Sequence, residues 1–364
     1  MVSNYLCDMK KTACFFLLVL FVGSIQAQTK SKEPIHYKKE KRISNVRQLT
    51  FGGNNAEAYW SPDGSQLIFQ SDNAKWGVGC DQIFTLRVDA PGDSTRKQMI
   101  STGNGRTTCS WFMPNGKQFL YASTHQGDLN CPPVPEKKPG HYVWPLYDAF
   151  DIYVANINDG TIVQQLTKSP RYDAEATISP KGDKIVFTSL RNGDLDLYTM
   201  DIDGSNVQQI TNTLGYDGGA TFSPDGKKIV WRASRPNNID DIKKYRELLS
   251  QDLVEPSNLE IFVADVDGSH VQQLTQLGNA NWSPTFTPDG KGVLFCSNYK
   301  SNIGFPFNLF LVDIQTYKVK QITFDSEFDS FPMFSPDGKK LAWCSNRNNG
   351  RTRDTNIFIA DWNN

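Results

Sequence analysis

The sequence is sparing with histidine, nearly neutral and light in cysteine. Four histidines stand among 364 residues: His36, His125, His141 and His270. His36 falls in an N-terminal stretch and His270 in a turn, so only His125 and His141, with Cys131 between them, suggest a metal centre. Two histidines in one loop fall well short of a zinc signature, and neither metal nor cofactor is expected. A net charge of −1, with no basic run after the leader beyond Lys38–Arg42, argues against a nucleic-acid partner. After the leader come Cys80, Cys109, Cys131, Cys296 and Cys344, too few for a disulfide scaffold. No GxSxG stretch presents a serine nucleophile. The one apolar run at the N-terminus, Thr12 to Val22, is too short to span a bilayer as an anchor. Preceded by Lys10-Lys11 and followed by small or neutral residues to Ala27, it reads as a secretory signal over residues 1–27, with translation starting at Met1 or Met9. The expected product is soluble, exported to the periplasm or beyond, monomeric and without stable membrane insertion.

What is present is a turn written six times. SPDG occurs at 61–64, 223–226 and 335–338, with MPNG at 113–116, SPKG at 179–182 and TPDG at 287–290. Proline presets the first corner of such a turn, Asp or Asn suits the second, and glycine accepts the left-handed position. Each copy follows an apolar residue and precedes a strand-like run such as Lys184-Ile-Val-Phe-Thr. A second alternating run follows, as in Glu260-Ile-Phe-Val-Ala, and then a third such as Val271-Gln-Gln-Leu-Thr. Four short strands per unit, at spacings of 52, 66, 44, 64 and 48 residues, is the pattern of propeller blades. The sixth unit stops at Asp361-Trp362 after its third strand, and the missing fourth appears at Val46–Thr50. The fold expected over 46–364 is therefore an all-β, six-bladed β-propeller whose N-terminal strand completes the last blade and removes an open edge. Residues 28–45 are left as a tail.

These QLT…WSPDG…IVF…IYVADxDG units resemble the TolB-like six-bladed propeller family, with its WD40-like PD40 repeats. The resemblance implies a propeller fold and, for function, either a periplasmic envelope role of the Tol–Pal type or the gating domain of a prolyl-oligopeptidase-like enzyme. Only residues 28–45 stand where TolB carries an α/β domain, and no room exists for a hydrolase domain.

Strand parity puts the loops after the second strand and those before the first strand on one face. Both long insertions, 126–149 in blade 2 and 236–258 in blade 4, fall there. The second repeats apolar residues at helical spacing (Ile242, Tyr245, Leu248, Leu249, Leu253) and reads as a helix packed on the propeller rather than a partner groove. The first is proline-rich and carries Trp144 and Tyr147, residue types that anchor binding surfaces, with a loop packed on itself as the competing reading. The first strands begin at Asn55, Thr107, Asp173, Asp217, Asn281 and Asp329; two residues on stand Glu57, Cys109, Glu175, Gly219, Ser283 and Phe331. Alternation would point both sets at the axis. A mouth bearing Glu57, Asp173, Glu175, Asp217 and Asp329 suits a cation or a basic peptide end. Arg191, Arg235 and Arg347 open loops on that same face, so pairing between blades is the competing reading. Asp201-Ile-Asp203-Gly204 and Asp265-Val-Asp267-Gly268 lack the later ligands of a calcium loop and read as hairpin turns. Cys296 and Cys344 read as buried apolar residues. One disulfide has room among Cys80, Cys109 and Cys131, with Cys80–Cys131 favoured because both follow a second strand.

The functional expectation is a non-catalytic propeller engaging a protein or peptide partner, such as an envelope lipoprotein. The alternative is a tunnel-mouth enzyme acting on carbohydrate through a metal or paired carboxylates, a chemistry that the resemblance also brings into view.

Overall fold

The computed structural model describes residues 34–89, 97–136, 142–302 and 304–363. The expected leader, the choice between Met1 and Met9, and His141 lie outside the described residues. Six four-stranded antiparallel sheets account for the blades. Their inner strands are Asn55–Trp60, Thr107–Phe112, Asp173–Ile178, Asp217–Phe222, Asn281–Phe286 and Asp329–Phe334. Each packs against the next, and the last against the first, which closes the ring.

The repeated turn explains itself chemically. Ser61 Oγ donates to Asp63 at 2.6 Å, accepts from Gln66 N at 2.9 Å, and Gly64 sits at φ 70°. Ser223 and Ser335 repeat the contact to Asp225 and Asp337. Serine and aspartate thus satisfy the turn internally while glycine takes the left-handed corner. The second strands that follow, such as Lys184–Ser189, are buried almost throughout because neighbouring blades cover both faces. Apolar clusters accordingly straddle blade boundaries: Phe69 and Phe84 of blade 1 meet Ala342 and Ile357 of blade 6.

The ring closes as its ends imply. Ile43–Gln48 pairs antiparallel with Asn356–Trp362, Arg47 opposite Ile359 and Gln48 opposite Phe358. This strand starts at Ile43, three residues before the expected Val46. The segment ahead of it is no loose tail. Glu40 is 1% exposed; it accepts from Phe324 N of blade 5 at 3.1 Å and from Arg347 of blade 6, filling the cleft between them.

The two insertions meet over one face. Trp144–Pro145 pairs antiparallel with Leu253–Val254. Arg171 holds Asp148 at 2.8 Å and Asp252 at 2.6 Å, one from each insertion. The blade 4 insertion contains the helix Ile239–Leu249, capped by Asn238 and burying Tyr245 and Leu249. Cys80 and Cys131 form a disulfide, Cα–Cα 5.9 Å, that ties the blade 2 insertion to blade 1. Cys296 and Cys344 are buried free thiols.

Candidate functional site

The six inner strands share one irregularity that decides where every candidate residue points. In each, the register shifts between the second and fifth residues. The residue at the shift has positive φ: Glu57 55°, Cys109 47°, Glu175 57°, Gly219 60°, Ser283 50° and Phe331 52°. A bulge breaks simple alternation, so the expectation that both sets face the axis fails. The bulge residues line the axial cavity. The strand-opening residues turn into the blades, where Asp173, Asp217 and Asp329 are each 0% exposed.

Inside the blades these aspartates meet arginines of their own sheet, not of a neighbour. Arg191 Nη2 reaches Asp173 at 3.0 Å, Arg235 Nη2 reaches Asp217 at 2.7 Å, and Arg347 Nη2 reaches Asp329 at 2.6 Å. Trp343 Nε1 adds a donor to Asp329 at 3.1 Å. Burial still outweighs the cation, and the Asp217 carboxyl is pushed up to about 6; Asp329 and Asp173 are raised for the same first reason. The six units carry a signal for this arrangement. Wherever the strand opens with Asp, an Arg stands 18 residues later; where it opens with Asn55, Thr107 or Asn281, the partner position holds Asn73, His125 or Tyr299.

The axial cavity, about 40 Å³ for water-sized occupants, is lined by Glu57, Tyr59, Cys109, Glu175, Arg232 and Ser283 among others. Of the five expected mouth carboxylates, only Glu57 and Glu175 reach it. Glu175 is paired with Arg232 and accepts from Tyr216 Oη at 2.9 Å and Gly219 N at 2.8 Å. A Cβ at Gly219 would overlap Arg232 Nη1, so glycine at this one bulge makes room for the guanidinium. Burial raises the Glu57 carboxyl, helped by the charge of Glu175, and raises the Cys109 thiol beside it. No motif marks Arg232, which sits inside the strand Lys228–Ala233.

The insertions close the mouth over this ring. Trp144 is only half-buried but is wedged among Trp282 (centroids 5.4 Å apart), Tyr216 (6.4 Å) and the Arg232 guanidinium (5.2 Å). Tyr147 donates to Pro133 O at 2.9 Å and packs on Phe150. Both expected anchors therefore hold the insertion itself. The exposed apolar side chains of the blade 2 insertion are instead Leu129, Val134 and Tyr142, at 65%, 63% and 61%. A groove of about 340 Å³ runs beside them between Pro132, Pro135, Tyr147 and Leu253. His125 donates to or accepts from Ser123 Oγ at 2.8 Å, and no group of three metal-ligating side chains occurs among the described residues.

Six closed blades with a capped axial ring define the class: an all-β, six-bladed β-propeller. Comparison narrows it. A family model described as the TolB beta propeller domain matches residues 145–254. The putative TolB of Agrobacterium tumefaciens is 18% identical, with 88% of this chain and 97% of that one covered at a TM-score of 0.56. TolB of Acinetobacter baumannii is 19% identical at a TM-score of 0.52, covering 85% of this chain and 63% of that one, so this chain spans less than two thirds of that protein. A chain of a nidogen/laminin complex is 12% identical, with 76% and 81% covered and a TM-score of 0.50. No curated protein sequence matches. The chain thus shares the six-bladed propeller fold of these TolB structures, and the family model is matched over residues 145–254.

Proposed function

We propose that this protein is an exported, monomeric, non-catalytic binding propeller that captures a protein or peptide partner on its insertion-bearing face. An envelope lipoprotein is the partner type that a Tol–Pal-like role in the periplasm implies. The observation that carries the reading is the built character of that face. Two insertions are stitched by a short sheet, clamped by Arg171 and tied down by Cys80–Cys131, and they present Leu129, Val134 and Tyr142 to solvent. A surface ordered before contact loses little entropy on binding. Four of the five expected mouth carboxylates are otherwise engaged, Asp173, Asp217 and Asp329 with blade arginines and Glu175 with Arg232, which leaves Glu57 as the one a hydrolytic or lyase mechanism would have to use.

The test is affinity capture from native envelope fractions with the wild-type protein and with L129S/V134S/Y142S. The same partner should be retained by the first and lost by the second, at equal thermal stability. Equal recovery by both would end the proposal. So would a carbohydrate-cleaving activity of the pure protein that disappears in Glu57→Gln.

A further inference from the structure

The cleft between blades 5 and 6 holds a peptide segment of this same chain, and the manner of holding is specific. Arg347 donates through Nη1 to Ile35 O at 2.9 Å and to Glu40 Oε2 at 3.2 Å, and through Nη2 to Glu40 Oε1 at 3.1 Å. Its Nε is fixed by Ser345 Oγ at 3.1 Å, and the guanidinium lies over Trp343 and Phe358. Phe324 N completes the carboxylate's shell from the other blade. The Arg347 side chain is 0% exposed.

The cleft between blades 2 and 3 repeats this constellation with no occupant segment among the described residues. Arg191 Nε is fixed by Ser189 Oγ at 2.8 Å, Nη2 is held by Asp173, and the guanidinium lies over Phe187 and Tyr198. Its Nη1, the atom that in blade 6 holds both Ile35 O and Glu40, makes no hydrogen bond among the described residues, and the side chain is 23% exposed. The donor from the neighbouring blade is repeated too. Thr167 and Thr323 occupy equivalent places, accepting from Ile152 N and Leu309 N, each at 2.9 Å. Lys168 is therefore the counterpart of Phe324, and its exposed ammonium adds positive charge that blade 5 lacks. Blade 4 is the poorer copy, because Arg235 spends Nη1 on Asp217 and Ser234 O.

We infer that the Arg191–Lys168 cleft is a docking site for an extended peptide segment that presents a glutamate carboxylate and a preceding backbone carbonyl. Glu40 in its own cleft is the intramolecular form of the same recognition. A guanidinium already oriented by Asp173 and Ser189 offers charge-assisted donors with little left to order. The assignment deepens the binding reading of the molecule, yet uses none of the residues of the blade 2 insertion, so the two fail separately.

The experiment uses a labelled synthetic peptide of residues 34–42, blocked at both ends, titrated against the full protein by fluorescence anisotropy. Saturable binding should weaken by at least about tenfold in R191Q and for a peptide carrying Glu40→Gln, as loss of one charge-assisted contact predicts. Because R191Q removes the cation that faces Asp173, D173N/R191Q is measured beside it and should show the same loss with an unchanged melting curve. Undiminished binding to D173N/R191Q, which is what exchange at Arg347 would give, overturns the assignment. Equal binding of the Gln peptide, or no saturable binding of the native one at about 1 mM, overturns it as well. L129S/V134S/Y142S should bind the peptide like the wild type.

Discussion

Blades 3 and 6 carry one lock in two settings. In both, a strand-opening aspartate lies at the base, an arginine 18 residues on reaches back to it, a serine fixes Nε and aromatic rings support the guanidinium. In blade 6 the N-terminal segment seals the cleft and both partners lose all solvent; in blade 3 the arginine keeps an open side. The difference teaches what a third charge does. Two aspartate–arginine pairs of similar geometry become one structural centre and one available surface, according to whether another carboxylate arrives from the same chain.

That contrast breaks most sharply on removing the arginines. Arg347→Ala should cost roughly 3–5 kcal/mol in urea unfolding, since it strands Asp329 and Glu40 as buried charges. A loss near zero would show that the centre is already solvated. Glu40→Ala should cost less, about 2 kcal/mol, and should raise hydrogen exchange across residues 34–42 while the blades stay protected. Arg191→Ala should cost only about 1 kcal/mol, water being able to reach the vacated side; a loss matching that of Arg347→Ala would erase the comparison.

A separate effect comes from pH, within blade 3. Burial, then the charge of Asp194, pushes the Asp196 carboxyl up to about 7. Its folded pKa exceeds the ordinary carboxylate value, so the folded state holds the proton more tightly. Asp196 therefore contributes stability at low pH that is lost as pH rises from about 4 to about 7. Asp196→Asn mimics the protonated form, and its stability relative to the wild type should climb between pH 4.5 and 7.5. A constant difference across that range would remove the argument.

Much of this was legible in the letters. The six turns gave the blades because serine, proline, aspartate and glycine each have a local reason to stand there. The broken sixth unit gave the closure, since an unpaired strand at each end of a chain completes one sheet. The Cys80–Cys131 pair followed from two loops of equal rank in adjacent blades. The locks were half legible: the Asp-to-Arg spacing is visible in three blades, but reading it needs the knowledge that both residues share one sheet. The bulge was not legible, because Glu57, Cys109, Glu175, Ser283 and Phe331 adopt positive φ with no residue preference announcing it. Gly219 alone carries a trace, and for a different reason, the approach of Arg232. Trp144 misled because an aromatic residue in a proline-rich loop reads as exposed until Trp282 and Tyr216 are found beneath it.

The sequence by itself determined the number of blades, their order and the manner of closing the circle, because hairpin chemistry acts over a few residues and repeats. Only the tertiary structure decided which carboxylates face the axis, which are sealed in the blades and which arginine stays open. Those outcomes depend on a backbone irregularity and on contacts between distant segments, where burial and the competition for a single guanidinium are settled only once the chain has closed.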